Sequence, residues 1–338
     1  MSRWLRRGAI ALLVVALCWG LDRLFEAFLV EYAVRIVIFC GLNAILAVGL
    51  NLINGTTGQF SIGHAGFMAV GAYGGAYTVV QLETWLGPSL TALPTFAQQA
   101  VALTSGVLVG ATVAAIAGFL VGVPSLRLRG DYLAIVTLGF GEIIRLLFNN
   151  SETFGGATGY SGGRPLGLTT YTSFFWVALW AVIVVTVVAH LTRSSYGRAL
   201  RAIREDEIAA EAVGLPTTRL KVMAFVVSAA AAGIAGALFA HLQSAVRPDD
   251  FKLDRSVDMI VMIIVGGLGS VTGAVLGGIF VAVTLELFRQ WAEYRLVAYA
   301  LLLVVLMIVR PQGLLGTREL DLAAVGRWWR ARRTGGAS

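Results

Sequence analysis

The sequence predicts an all-α, polytopic integral membrane protein. Its 338 residues are 57% hydrophobic and only 13% charged, a composition too apolar for a soluble domain. Apolar runs long enough to cross a bilayer recur along the whole chain, which predicts about ten transmembrane helices. Glycines and polar residues inside some runs indicate short or broken helices, so the expected count is roughly eight to ten.

The predicted spans follow one another with few long interruptions. The first span has a basic N-terminus before it but no small-x-small cleavage pattern after it, which favours a retained helix over a secretory signal peptide. Proline-containing and glycine-rich stretches, 81–99 and 149–170, predict outer loops. The spans are 8–21, 29–53, 49–77, 100–123, 127–148, 171–191, 222–245, 257–266, 266–288 and 296–309.

The glycine-rich segment 49–77 is the candidate translocation path. Its glycines and polar side chains make a poor lipid-facing helix but suit a broken helix at membrane depth. Close packing of neighbouring helices is the alternative role for the glycines. A proton relay is one reading of its histidine, and a buried histidine bonded to backbone is the other. The path candidates here are Asn51, Asn54, Gln59, Ser61, Gly63, His64 and Gly66.

Two charged residues, Glu142 and Arg145, lie inside the fifth span. They are three positions apart and therefore share one face of a helix. A lone charge near the bilayer centre costs roughly 2.5 to 3.5 kcal/mol on insertion scales, so the spacing predicts a mutual ion pair. A role in coupling or gating is the alternative, and both residues join the translocation path candidates.

A long charged segment, residues 193–221, interrupts the apolar pattern before the seventh span. Its arginines, glutamates and alanines predict one solvated helix, and Gly214 followed by Pro216 predicts where that helix ends. The alanines leave a thin surface between the charges that suits a groove on another protein. An ordinary solvated loop with helical propensity is the alternative.

Basic residues are distributed unevenly between the two sides of the predicted membrane. With ten spans, both termini and the segment 193–221 share one side, and that side holds most lysines and arginines. The positive-inside rule makes this side the cytoplasm. The net charge of +7 thus follows from topology, and nucleic acid need not be invoked. The chain divides into one transmembrane domain, 1–316, and a basic cytoplasmic tail, 317–338.

No motif in the sequence points to catalysis or to a bound cofactor. The chain lacks the phosphate-binding pattern G-x-x-x-x-G-K-[ST] and a nucleophile elbow. Cys18 and Cys40 lie in apolar runs without a ligand-spaced Cys or His cluster, which argues against a disulfide framework and a zinc site. The sequence predicts a protein that is no enzyme and that itself binds no cofactor or metal.

Several stretches resemble one family of transport proteins. Residues 197–215, reading GRALRAIREDEIAAEAVGL, are similar to the EAA loop of ABC-importer permeases of the branched-chain amino acid family, LivM and LivH type. Residues 51–73 match the family pattern N-L-x-x-G-x-x-G-x-x-S-x-G-H-x-x-F-x-x-x-G-A-Y, and residues 127–148 are also similar. Residues 161–168 depart from the family element T-G-G-x-x-G-L by one extra residue and by Ser for Thr. The resemblance covers nearly everything from residue 35 to residue 310.

The resemblance implies a permease subunit of an ABC importer in the bacterial cytoplasmic (inner) membrane. Such a chain forms the path for leucine, isoleucine, valine or similar small solutes, while ATP and Mg are bound by partner subunits. The implied partners are two ATPase subunits, a second related permease in a heterodimer or homodimer, an extracytoplasmic solute-binding protein and membrane lipid. A permease for urea or short-chain amides is the nearest alternative. A stand-alone secondary carrier or channel is the alternative of another class.

In this family the charged loop is the coupling helix, which docks into a cleft on the cytoplasmic ATPase. The resemblance therefore assigns the segment 193–221 to ATPase coupling, with a helix from about Leu200 to Gly214 that moves when ATP closes the ATPase pair. The residues assigned to coupling are Arg201, Arg204, Glu205, Asp206, Ala209, Glu211, Ala212 and Gly214.

Overall fold

Helices make up nearly all the regular structure of the chain. The computed structural model describes residues 3–91, 94–126, 128, 130–162, 168–243, 245–291, 294–310, 312–316 and 319. Within these ranges the contact of β type is one isolated bridge between Tyr160 and Val246. The α-helices are α1 (Arg3–Phe28), α2 (Glu31–Asn51), α3 (His64–Thr91), α4 (Thr95–Ser125), α5 (Asp131–Asn149), α6 (Phe174–Arg193), α7 (Ser195–Glu205), α8 (Glu207–Ala212), α9 (Thr217–Ala240), α10 (Leu253–Gly266), α11 (Val271–Leu287) and α12 (Arg295–Val309).

The helix lengths confirm the all-α membrane fold predicted from the sequence. In the described part of the chain, every α-helix other than α7 and α8 has 14 residues or more, which matches the expectation of about ten spans. Two shorter apolar helices, Val271–Leu287 and Val297–Val309, accompany the long ones. The stretches long and apolar enough to cross a membrane by themselves are Glu31–Thr57, Thr95–Ser125, Phe174–Arg193 and Thr217–Ala240.

Helices α2 and α11 run antiparallel, so the end of α2 lies beside the start of α11. Near the start of α2, the Tyr32 hydroxyl donates a hydrogen bond to Glu286 at the end of α11. At the end of α2, the Asn51 amide donates to the carbonyl of Ser270, just before α11. The turn 267–270 therefore lies beside the end of α2, at the same end of the molecule as α7.

Small residues bring α3, α4 and α9 into backbone contact. A methyl group on Gly71 would overlap the backbone of Gly233, and one on Gly110 would lie 2.7 Å from the Gly71 carbonyl oxygen. Gly236 approaches the backbone of Met68 equally closely. Such close approach through small residues is typical of membrane bundles, where packing rather than the hydrophobic effect holds helices together.

Two predictions about local structure are wrong. The segment 81–99 is not a loop, because α3 continues to Thr91 and α4 begins at Thr95. The charged segment is not one helix, because Asp206 has extended backbone angles, φ −156° and ψ 110°, and separates α7 from α8. The predicted tail 317–338, apart from Glu319, and residues 163–167 of the family element lie outside the described residues.

Candidate functional site

A break between α2 and α3 forms the centre of the candidate path, as the glycine-rich composition predicts. The end of α2 continues into a π-helical turn, Leu52–Thr57, which ends at Gly58 with φ +73°. Residues 58–63 are not helical, and α3 begins only at His64. We call residues 52–63 the helix break. π-Helical turns are rare and often mark functional positions.

The two asparagines of the candidate path stabilise the helix break and its surroundings. Asn51 donates to the Ser270 carbonyl at 3.0 Å and accepts from the Gly269 amide at 2.9 Å. Asn54 accepts from the Ser61 amide at 3.2 Å and donates to the Ser61 carbonyl at 3.3 Å. Both side chains are buried, and each one satisfies backbone groups that the irregular chain leaves exposed.

Other polar groups at the break are buried without a hydrogen-bond partner. They are the hydroxyl oxygens of Thr56 and Ser61 and both ring nitrogens of His64, so the backbone bond considered for His64 is absent. Gln59 is half-buried at the edge of the break. Buried polar atoms are nearly always paired in proteins. These groups therefore have hydrogen-bonding capacity that the chain itself does not use.

Gly63 and Gly66 lie at the contact between α3 and α5. A methyl group on Gly63 would overlap the carbonyl of Thr137, and one on Gly66 would lie 2.8 Å from Cα of Gly141. The Thr137 hydroxyl also accepts from the Ile62 amide at 3.1 Å. The geometry thus gives both glycines a packing role that holds α5 against the helix break.

The predicted ion pair between Glu142 and Arg145 is confirmed. Arg145 Nε lies 2.8 Å from Glu142 Oε2, and the side chains are 36% exposed for Glu142 and 19% for Arg145. The pair lies on α5 next to the exposed side chains of Ile143 and Leu146. A charged pair is therefore accessible on the outer surface of a membrane-spanning helix.

Local hydrogen bonds and one glycine define where α8 begins and ends within the coupling segment, residues 193–221. The Asp206 carboxylate accepts from the amides of Ile208 and Ala209 at 2.9 and 3.0 Å and thereby begins α8. Gly214, with φ +84°, ends α8 in a left-handed conformation that a side chain would disfavour. Glu211 accepts from the Thr217 hydroxyl at 2.8 Å, which ties α8 to the start of α9.

The coupling candidates are all exposed, Arg204 included, but the Arg204 guanidinium also contacts the membrane domain. The Arg204 guanidinium donates to the Gly55 carbonyl in the helix break at 2.6 Å. Arg201 donates to the Thr192 carbonyl at 3.3 Å. The remaining candidates are exposed on α7, on α8 or beside them: Glu205, Asp206, Ala209, Glu211, Ala212 and Gly214.

Two exposed apolar residues of α8 and its C-terminal end were not among the residues predicted from the sequence. Ile208 is 68% exposed and Val213 is 78% exposed, both beside the exposed Ala209 and Ala212. Large apolar side chains presented to water together indicate an interaction surface. The two residues are apolar and lie five positions apart in an otherwise charged segment. This is the only sign of the surface in the sequence, and the many charged neighbours obscure it. We call Ile208, Ala209, Ala212 and Val213 the α8 surface.

An aromatic cluster surrounds Tyr73, in the first half of α3, beside the end of α5. The rings of Tyr73 and Phe148 stack with centroids 4.1 Å apart, and Phe154 packs edge-on against both. The Tyr73 hydroxyl donates to the Val246 carbonyl at 3.1 Å, which joins the cluster to the loop after α9. Phe154 belongs to the first part of the predicted loop 149–170, and its ring packs this part of the loop onto the bundle.

A cavity of about 770 Å³ opens at the end of the bundle where α2 begins. Its lining includes the charged residues Asp22, Glu31 and Arg35, and Arg35 donates to Gln243 at 3.0 Å. Glu31 and Arg35 lie four residues apart on α2, whereas Asp22 comes from α1, so the sequence does not indicate that Asp22 joins them. Among the described residues no group of three or more His, Cys, Asp or Glu side chains could hold a metal ion.

Comparisons with known proteins agree on one family. A family model described as "Branched-chain amino acid transport system / permease component" matches residues 32–310. The high-affinity branched-chain amino acid transport system permease protein LivM of Salmonella typhimurium is 38% identical over 338 residues, covering 90% of this chain and 74% of the relative. LivM of Escherichia coli K12 is 39% identical over 337 residues with the same coverage.

More distant proteins are also similar. The permease protein LivH of Escherichia coli K12 is 29% identical over 178 residues, which cover 52% of this chain and 56% of the relative. A solved structure, a metal-chelate type ABC transporter in an inward-facing conformation, aligns with 82% of this chain and 86% of its own. That alignment has 15% sequence identity and a TM-score of 0.44.

Proposed function

The chain belongs to the permease family of branched-chain amino acid transport systems, and from this premise we propose how it works within an ABC importer. It is a multi-pass permease subunit of a branched-chain amino acid ABC transporter in the bacterial inner membrane. Separate ATPase subunits bind ATP and Mg and hydrolyse the nucleotide. An extracytoplasmic binding protein delivers the solute. Both termini and the coupling segment face the cytoplasm, where the ATPases are.

The α8 surface is the contact for the ATPase. It combines two exposed apolar side chains, Ile208 and Val213, with small residues that permit close approach. Asp206 and Gly214 fix the ends of α8, so this surface is held in one orientation. ATP-driven closure of the ATPases would move α7 and α8 together and shift the bundle between outward and inward access. The exposed apolar surface of α8 is the observation that carries this proposal.

Helix α5 is the surface for the second permease. The exposed faces of other outer helices carry apolar residues such as Leu120 on α4 and Leu301 on α12, as lipid requires. The exposed face of α5 is also largely apolar, with residues such as Ile135 and Leu147. It differs in carrying the Glu142–Arg145 pair, together with Gly139, which has open space where a Cβ would be. Charged residues within spans face protein or water rather than lipid. The second permease therefore covers α5, and the translocation path lies between the two subunits.

The groups at the helix break serve the polar part of the solute. His64, Ser61 and Thr56 supply unpartnered donors and acceptors, and a zwitterionic amino acid needs such groups when it leaves water. Gln59 stands at the edge of the same break. The apolar walls of the bundle accept the branched side chain of the solute.

Replacement of Ile208 and Val213 by aspartate tests ATPase docking in the assembled importer. The double variant should lose the ATPase subunits on purification and lose ATP-dependent uptake of leucine into proteoliposomes, since it places charges where an apolar contact forms. Thr218→Asp, in the exposed first turn of α9, is the matched control and should retain both. Uptake by this chain alone, without ATPase subunits, would contradict the proposal and indicate a stand-alone carrier.

A photoreactive amino acid at Ile143 tests the α5 surface. In cells that produce the whole importer, illumination should give an adduct in which mass spectrometry identifies peptides of the second permease. The same amino acid at Leu120 on α4 is the control and should give lipid adducts. Equal capture of the second permease from both positions, or lipid capture alone from Ile143, would place the interface elsewhere.

A further inference from the structure

The Arg204 side chain extends from the coupling segment to the membrane domain. It lies in the last turn of α7, between the buried Ile203 and the exposed Glu205. Its guanidinium Nη1 donates to the Gly55 carbonyl at 2.6 Å. Its side-chain stem passes the helix break so closely that a Cβ on Gly58 would lie 2.8 Å from Arg204 Cγ. Arg204 as a whole remains exposed, but this end of its guanidinium is occupied by the bond to Gly55.

The acceptor of this bond lies at the end of the π-helical turn. Gly55 belongs to Leu52–Thr57, and the last carbonyls of a helix have no partner within it. A cationic donor there satisfies such a carbonyl and also opposes the negative end of the helix dipole. Hydrogen bonds of a charged group are roughly twice as strong as those between neutral groups. The Arg204–Gly55 bond is therefore a firm link between α7 and the helix break.

A third segment meets the other two at the same point. A Cβ on Gly269, in the turn between α10 and α11, would lie 3.0 Å from Arg204 Nη1. The backbone of this turn is bound by Asn51, which accepts from the Gly269 amide and donates to the Ser270 carbonyl. Gly55 itself has no room for a side chain, because a methyl group would overlap Asn51 and Gly269. Thus α7, the helix break and the turn 267–270 form one hydrogen-bonded junction.

We propose that Arg204 is the positioning residue that carries movement of the coupling segment to the helix break through its bond to Gly55. This inference rests on the proposed importer function and assigns Arg204 a role distinct from ATPase docking. When α7 moves, Arg204 displaces Gly55 and the turn 267–270 together. The nearby groups of Ser61 and His64 then change their exposure to the path. Networks of hydrogen bonds between rigid elements are suited to carry coupling of this kind.

The test uses the complete importer in proteoliposomes and measures leucine taken up per ATP hydrolysed. Arg204→Gln should lower this ratio about tenfold, within the usual range of coupling between two sites, while the ATPase subunits still co-purify. Arg204→Lys keeps a cationic donor and should restore most of the ratio. Arg198→Gln removes a charge from an exposed side chain of the same helix and should leave the ratio unchanged.

Three results would overturn the inference. Arg204→Gln could behave as Arg198→Gln does, it could lose the ATPases in proportion to its loss of uptake, or it could fail to accumulate as folded protein while Arg204→Lys accumulates. The second result would make Arg204 a docking contact, and the third would make it a folding contact. Failure of the unsubstituted importer to take up leucine would instead count against the proposed function itself.

Discussion

Lys221 on α9 and Glu207 on α8 form an ion pair in which the ammonium is removed from water. Lys221 Nζ lies 2.5 Å from Glu207 Oε1, and the lysine side chain is 1% exposed whereas the glutamate side chain is 20% exposed. The pair ties the short helix α8 to the start of α9, a long apolar helix. Because α8 has only six residues, its orientation depends on such tertiary contacts.

The unequal burial of this pair predicts unequal effects of removing each partner. Glu207→Gln leaves a buried ammonium without its counter-ion and should destabilise the folded chain by about 3 kcal/mol. Lys221→Met leaves a glutamate that water can reach, so a smaller loss is expected. The double variant should regain much of the stability, because no unpaired charge remains. Thermal unfolding of the purified importer measures this order, and equal losses in both single variants would contradict it.

Gly63 and Gly139 provide a matched pair of glycine substitutions. Gly63→Ala should destabilise the contact between α3 and α5 by about 1 to 3 kcal/mol, the usual cost of overpacking, since its methyl group would overlap the Thr137 carbonyl. Gly139→Ala meets no atom within 4 Å in this chain. The isolated chain that carries Gly139→Ala should therefore unfold at the same temperature as the unsubstituted chain. Fluorescence-detected unfolding in detergent compares the two variants, and a similar loss in both would remove the packing role of Gly63.

Two substitutions of Tyr73 distinguish the contribution of its hydrogen bond from that of its aromatic packing. Tyr73→Phe removes only the bond to the Val246 carbonyl and should cost about 1 kcal/mol. Tyr73→Ala also removes the stacking on Phe148 and the edge contact with Phe154, and should cost about 3 to 5 kcal/mol. Limited proteolysis of the loop 149–170 measures the release of the loop. Equal cleavage of the two variants would show that the rings contribute little to its packing.

Patterns within one segment were sufficient to predict several features of this fold. The composition of 49–77 predicted the helix break, because glycine and polar residues are unfavourable in a regular lipid-facing helix. The spacing of Glu142 and Arg145 predicted their ion pair, because residues three apart share a helix face. Both features depend on residues that are close in sequence.

Features that depend on backbone angles or on distant residues were not predictable in this way. Asp206 reads as one more charge in a helical pattern, yet its extended conformation makes it the N-cap of a new helix. Pro94 suggested a loop, but it stands at the N-cap of α4, where a missing N–H costs nothing. The bond from Arg204 to Gly55 joins residues 149 positions apart, so no local pattern could indicate it.

The contact of glycine on glycine between α3, α4 and α9 limits which parts of the permease can move. Gly71 and Gly233 touch through their backbones, and not even a methyl group separates them. A close-packed interior of this kind resists gradual deformation. We therefore expect these three helices to keep their positions relative to one another throughout the transport cycle.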